Sequence, residues 1–231
     1  MKQPYLLLPF LFLLAACEES KLQEDTSTVE NKESEAVAEI KSSNEIIVVQ
    51  DSSMYLAKNI DSLSLEDADT AYALCMAALT DYYKAIWNGI EIDLSSYIQN
   101  ENLKRYTEKK IQYQMELFQD YTDDPVESVV ENQEVKWEVE FNQDADGAFL
   151  YLHVPVEVKK QLGSRGEATE FLVRNVNGKL VITDWYTDGK DSYDFLVRAE
   201  NITVNDPDIW NNADWVHQLE KRQSEFSGST R

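Results

Sequence analysis

Apolar positions recur at helical spacing over 65–88, where Ala68, Ala71, Tyr72, Cys75, Ala78, Leu79, Tyr82 and Ile86 form one stripe. Ser64 suits the N-cap, Glu66, Asp67 and Asp69 suit the positive end of the helix dipole, and Gly89 suits the stop. The stripe begins with small residues and ends in aromatic ones, Tyr82, Tyr83 and Trp87. Small side chains let a helix lie close against a sheet, while the aromatic end either lines a cavity or packs into the core. A second helix is predicted over 101–119, capped by Asn100, with Leu103, Tyr106, Lys110/Ile111, Gln114 and Leu117/Phe118 in period. A turn of helix at 94–97 precedes it, and Asp123-Asp124-Pro125 stops it.

From Val126 the period changes from 3.6 to two. Val135, Trp137, Val139 and Phe141 alternate with Glu134, Lys136, Glu138 and Glu140, the mark of a half-buried strand. Further strands are predicted over 149–158, 169–176 and 179–186. The loop 143–147 joins the first two, and Asn177-Gly178, a strong hairpin signal, joins the last two. Residues 191–200 read as a short helix or a strand extension. Pro207, Ile209, Trp210, Trp215, Val216 and Leu219 predict a last helix to about 225, before a frayed tail at 227–231. Helices first and a long antiparallel meander afterwards make an α+β fold: N-terminal helices packed on a curved antiparallel sheet, with a C-terminal helix.

This order resembles the nuclear transport factor two-like (cystatin-like) α+β roll superfamily over about residues 60–190. The likeness is carried by the long first helix, the shorter helical pair, and strands closed by Asn177-Gly178 and ending in Ile182-Thr183-Asp184-Trp185-Tyr186. It implies a sheet wrapped around the first helix, with a conical pocket for which Tyr82, Tyr83, Trp87, Trp137, Tyr151 and Tyr186 are candidate lining. Enzymes of the ketosteroid-isomerase type in that superfamily use a carboxylate in the cone as general base. Asp184 shares strand parity with Leu180 and Ile182, so it is the candidate here, and burial would raise its pKa into a useful range. Its alternative is a solvated carboxylate on a strand that is leaving the core. His153, on the strand face with Phe149, Tyr151 and Pro155, is a second candidate acid or ligand.

The start of the chain carries a different signal. Met1-Lys2, an apolar run from Tyr5 to Ala16 and Leu14-Ala15-Ala16-Cys17 form a secretory signal that resembles the lipobox of bacterial lipoproteins. The resemblance implies cleavage before Cys17 and its acylation, hence an anchor in a lipid bilayer at the outer face of the cytoplasmic membrane or in an outer membrane. The alternative is an ordinary signal peptide cut near Ala16. The run falls short of the ~20 residues that span a bilayer. The expected organisation is a signal peptide at 1–16, an acidic tether at 17–49, one domain at 50–226 and the tail. Over 18–45 the tether holds three basic and nine acidic residues, net −6 (3 − 9), with no aromatic side chain to build a core.

Composition narrows the chemistry. A formal net charge of −22 argues against nucleic acid as a partner. The other cysteine, Cys75, lies in an apolar helical stretch and reads as a buried thiol, leaving no disulfide if Cys17 is lipidated. Asn142, Asp144, Asp146 and Gly147 match the first half of a calcium loop, but its twelfth position is His153 and its flanks are strands. With only His153 and His217 and no cysteine cluster, the ligands of a zinc site are lacking. Neither a nucleophile elbow nor a phosphate- or dinucleotide-binding glycine loop is present, so no cofactor is expected. The expected function is a non-catalytic domain that binds a small apolar ligand or an envelope protein. The rivals are a ketosteroid-isomerase-type isomerase or dehydratase and a structural module of the cell envelope.

Overall fold

Ser64 opens the first helical run with a capping box: its hydroxyl accepts from Glu66 N–H, and Asp67 Oδ2 accepts from Ser64 N–H. A 3-10 turn at Leu65–Asp67 leads into α1, Ala68–Asn88, which ends at Gly89 in the left-handed conformation. The computed structural model describes residues 55–118, 124–199 and 204–229, and these fall within the compact unit Val48–Arg231. The predicted signal, Cys17, the tether and Asp123 lie outside the described residues.

A 3-10 turn at Leu94–Ser96 precedes α2, Glu101–Phe118, where Asn100 Oδ1 accepts from the N–H groups of Asn102 and Leu103 as predicted. Five antiparallel strands follow: β1 Val126–Glu131, β2 Glu138–Asp144, β3 Gly147–Lys160, β4 Gly163–Val176 and β5 Lys179–Thr187. Their order is β1-β3-β4-β5, and β2 lies beside the first half of β3 on the edge whose second half pairs with β1. Helix α3 covers Tyr193–Arg198, a 3-10 turn covers Ile209–Asn211, and α4 covers Ala213–Ser229. The fold class is α+β, as expected.

Three boundaries differ from the sequence reading. β1 was not separately predicted, because its burial does not alternate and a bulge interrupts it after Val126. β2 starts three residues later than its apolar alternation, since Val135 is exposed and Trp137 leaves the ladder to stack on Tyr72 at 4.5 Å. The C-terminal stretch divides, because Asn212 caps a fresh helix by accepting from Trp215 N–H.

The core lies between α1 and one face of the sheet. Ala71, Cys75 and Ala78, all fully buried, bring α1 down onto Leu150, Leu152, Val154, Phe171 and Ile182. Burying each large side chain of that set contributes about 1.5–3 kcal/mol. The β4–β5 hairpin turns through Asn177 and Gly178, both at positive φ, and a Cβ at Gly178 would meet Ile60 at 2.9 Å. That turn is thus specified twice, by its backbone and by the segment pressed against it.

Candidate functional site

The aromatic end of α1 meets the ends of β3 and β4. Tyr82 packs edge-on against Tyr83 and Trp185, at 5.2 and 5.3 Å between centroids. Trp87 stacks on Phe118 of α2 at 4.3 Å, and the Lys160 ammonium lies over its ring. Tyr83 donates to Glu167 Oε2 at 2.8 Å, and Arg165 reaches the other oxygen of that carboxylate. The space left among Tyr82, Tyr83, Trp87, Gln114, Glu167 and Thr187 is about 20 Å³. That volume accepts roughly one water molecule, against roughly 300–1,000 Å³ for a small-molecule site. The aromatic side chains at this end of α1 thus leave no room for a small-molecule ligand among them.

Beneath this plug lies a buried polar network that sequence reasoning missed. Lys110 occupies the buried stripe of α2, below Leu103 and Thr107, and its ammonium donates to Thr187 Oγ1 at 3.0 Å and pairs with Asp194 Oδ2. Asp194 also accepts from Tyr106 OH at 2.7 Å and from Thr187 N–H at 2.8 Å. Side-chain exposure is 1% for Lys110 and 0% for Asp194, so the charges are compensated internally. The rings of Tyr82 and Trp185 flank the ammonium at 5.3 and 5.0 Å. Burial pushes the Lys110 amine down from its ordinary value, although Asp194 beside it pulls the other way. Burial pushes the Tyr82 and Tyr106 hydroxyls well up, and Asp194 adds to both. The amine does not border the remaining cavity, so it serves to fix α2 to β5 and α3. Only the Lys inside the helical stripe hinted at it, since its partner is 84 residues away.

Asp184 is not where strand parity put it. A register shift in the β4–β5 ladder pairs Val173 with Ile182 and Leu172 with Asp184, leaving Thr183 as the bulged residue. Asp184 therefore turns away from Leu180 and Ile182 to the face of Leu172 and Tyr186. Its two oxygens take Arg198 Nη1 and Nη2 at 2.9 and 2.8 Å, and Oδ1 also accepts from Trp210 Nε1 and Trp185 N–H, both at 2.8 Å. Burial opposes the charge on Arg198, but the Asp184 carboxylate and its hydrogen bonds outweigh that and hold the guanidinium above its ordinary value. Rings of Tyr186, Trp210 and Trp215 surround it. Both carboxylate oxygens are taken up by Arg198, Trp210 and the Trp185 N–H, and the side chain is 2% exposed, so Asp184 serves here as a structural anchor for α3 and Trp210 and not as a free carboxylate facing the inner core.

The six aromatic pocket candidates do not converge. Tyr82, Tyr83 and Trp87 share the plug, Trp137 lies on Tyr72, and Tyr151 and Tyr186 lie on the opposite face of the sheet with Phe149 and Leu172. His153 shares that outer face, in register with Glu138 and Glu170. The calcium-loop candidates also separate. Asn142 sits in β2 opposite Phe149, Asp146 lies in a tight turn, and Asp144 gives both oxygens to Arg174 Nη2 at 2.8 and 2.7 Å. No cluster of three His, Cys, Asp or Glu able to hold a metal occurs among the described residues. Burial raises the Cys75 thiol well above its ordinary value, as suits a packing residue.

The outer face carries an open groove of about 380 Å³, bounded by Glu140, Asn142, Phe149, Tyr151, Glu170 and Val204. Burial raises the Glu170 carboxyl, His153 lowers it, and Asp188 adds to the rise. Comparison of the chain with protein-family models, with curated proteins and with solved structures returned no match.

Proposed function

We propose that the chain is an exported lipoprotein, anchored in a bilayer through acylated Cys17, whose α+β domain binds a partner protein and carries out no chemistry of its own. The observation that carries this reading is the filled aromatic end of α1, where the space left among Tyr82, Tyr83, Trp87, Gln114, Glu167 and Thr187 is about 20 Å³. A small apolar ligand has no room there, and the isomerase reading loses its base because Asp184 is held by Arg198 and Trp210. Support for the anchor comes from Leu14-Ala15-Ala16-Cys17 and the acidic stretch behind it.

Two measurements test the reading. The full chain made in a bacterial host partitions into the detergent phase of a cloud-point extraction, and Cys17→Ser moves it to the aqueous phase; equal partitioning of the two overturns the anchor. An apolar fluorescent dye titrated against the folded protein gives no saturable site. Stoichiometric, saturable dye uptake overturns the closed interior and restores a small-ligand function.

A further inference from the structure

The three margins of the sheet are not treated alike. The outer edge of β5 is closed by backbone hydrogen bonds from two segments: Leu180 N–H to Tyr55 O at 2.8 Å, Ala57 N–H to Gly178 O at 2.9 Å, and Ile182 N–H to Tyr97 O at 2.9 Å. β1 lies under α1, and Asn88 clasps Val126 through both its N–H and its C=O. β2 has neither protection. Its seven residues pair with β3 in unbroken register, and its other edge has no backbone partner among the described residues. It contains no proline and no bulge, and the charges it carries, Glu138, Glu140 and Asp144, are all acidic. Phe141 on the strand is 41% exposed.

The charge pattern selects the occupant. Outward-facing Glu138 and Glu140 flank the open edge; the row from Glu138 runs through His153 on β3 to Glu170 on β4, and the row from Glu140 reaches Tyr151. A strand added to β2 sets its side chains about 4.5–5.5 Å from Glu138 and Glu140. A second copy of β2 brings glutamates against glutamates and is repelled. Cationic side chains are attracted, and the neighbouring 380 Å³ groove, lined by Phe149 and Tyr151 together with Glu140 and Glu170, offers aromatic and acidic groups to one guanidinium or ammonium.

We propose that the β2 edge and the adjoining acidic groove receive an extended segment of a partner protein as an added strand, with Lys or Arg on alternate positions and apolar residues between them. This rests on the protein-binding reading and names the surface and partner chemistry for it. The test uses the full chain in detergent and a nine-residue peptide alternating Arg and Val. A second peptide of the same composition, with a central D-residue pair that breaks strand geometry, serves as the control. The alternating peptide binds in low salt, weakens as salt rises, and slows hydrogen exchange of amides within 138–144. Glu140→Lys weakens it roughly tenfold or more, and Glu170→Gln weakens it to a smaller extent, with unchanged circular dichroism in both. Absence of binding, equal binding of the control peptide, indifference to Glu140→Lys, or protection outside 138–144 each overturns the proposal. So does a dimer that protects the same amides without peptide. These outcomes leave the proposed function intact, because that falls only on the partitioning and dye measurements.

Discussion

Ile182 and Asp184, two positions apart on β5, face opposite sides of the sheet, because Thr183 between them is bulged out of the ladder with β4. An unbroken strand would send both side chains inward. The bulge instead delivers a carboxylate to the outer face, where Arg198 meets it with two nitrogens. With side-chain exposures of 2% and 4%, removal of one partner strands the other in a dry site. Arg198→Met is therefore expected to lower unfolding stability by about 3–5 kcal/mol, the usual cost of breaking a buried pair. Asp184→Asn keeps an acceptor for Trp210 but leaves the buried guanidinium without its countercharge, so it is expected to cost a similar amount. Urea midpoints at constant m-value measure both; equal midpoints for wild type and Arg198→Met would show that the pair is dispensable.

The Lys110–Asp194 pair is asymmetric, which gives an ordering. Without Lys110, Asp194 still accepts from Tyr106 OH and Thr187 N–H. Without the Asp194 charge, the ammonium keeps only Thr187 Oγ1 and two aromatic faces. Asp194→Asn is thus expected to destabilise more than Lys110→Met, with the larger loss about 3–5 kcal/mol. The double variant is expected to be less destabilised than the two losses summed. A denaturation cycle over the four proteins checks this; additive losses would mean that the two groups do not interact.

How much of this was readable in advance follows from the range of each interaction. The helix over 65–88, the Asn100 cap and the Asn177-Gly178 hairpin were legible because each depends on residues a few positions apart. The inward set Leu150, Leu152, Val154 and Val156 was legible for the same reason. The position of Asp184 was not, since a bulge leaves no mark in an alternation that stays apolar through Val181 and Ile182. The Lys110–Asp194 pair joins α2 to α3 across 84 residues, and periodicity carries no information at that separation. Aromatic richness at the end of α1 was legible, whereas its use as a plug depends on Trp185 and Phe118 arriving from other elements.

Alkaline pH provides a further check, and the sign follows from the tyrosines. Burial raises the hydroxyls of Tyr82, Tyr83 and Tyr106 well above the ordinary value near 10, and those of Tyr72, Tyr151, Tyr186 and Tyr193 to about 12. Above pH 10 the unfolded chain loses protons that the folded chain retains, so stability is complete below that pH and falls as pH rises. Lys110 acts in the opposite sense, because its lowered value relieves a buried charge on the way to 10.5. Burial lowers Lys160 in the same way, and two lysines are outweighed by seven tyrosines. Part of the phenolate absorbance at 295 nm is therefore expected to appear only with loss of the far-ultraviolet dichroism. If all twelve tyrosines titrate together near pH 10 with the dichroism intact, the burial argument fails.

The β2–β3 turn looks like half a calcium loop and behaves as part of a clamp. Arg174 on β4 holds Asp144 through Nη2 and Asp208 through Nη1 at 2.6 Å, tying the turn to the segment before α4. A cation bound at Asp144 has to displace that guanidinium, and Asn142, on the strand before it, and Asp146, in the tight turn, do not close around the same point. Millimolar calcium is accordingly expected to leave the thermal midpoint unchanged, and chelator likewise. Arg174→Gln is expected to cost about 1 kcal/mol, a modest figure because both aspartates are partly exposed to water. The same substitution releases Asp144, so it also distinguishes the two readings of the turn. A calcium-induced rise in midpoint in the wild type would restore the metal assignment, while a rise confined to Arg174→Gln would show a ligand set that the guanidinium normally occupies.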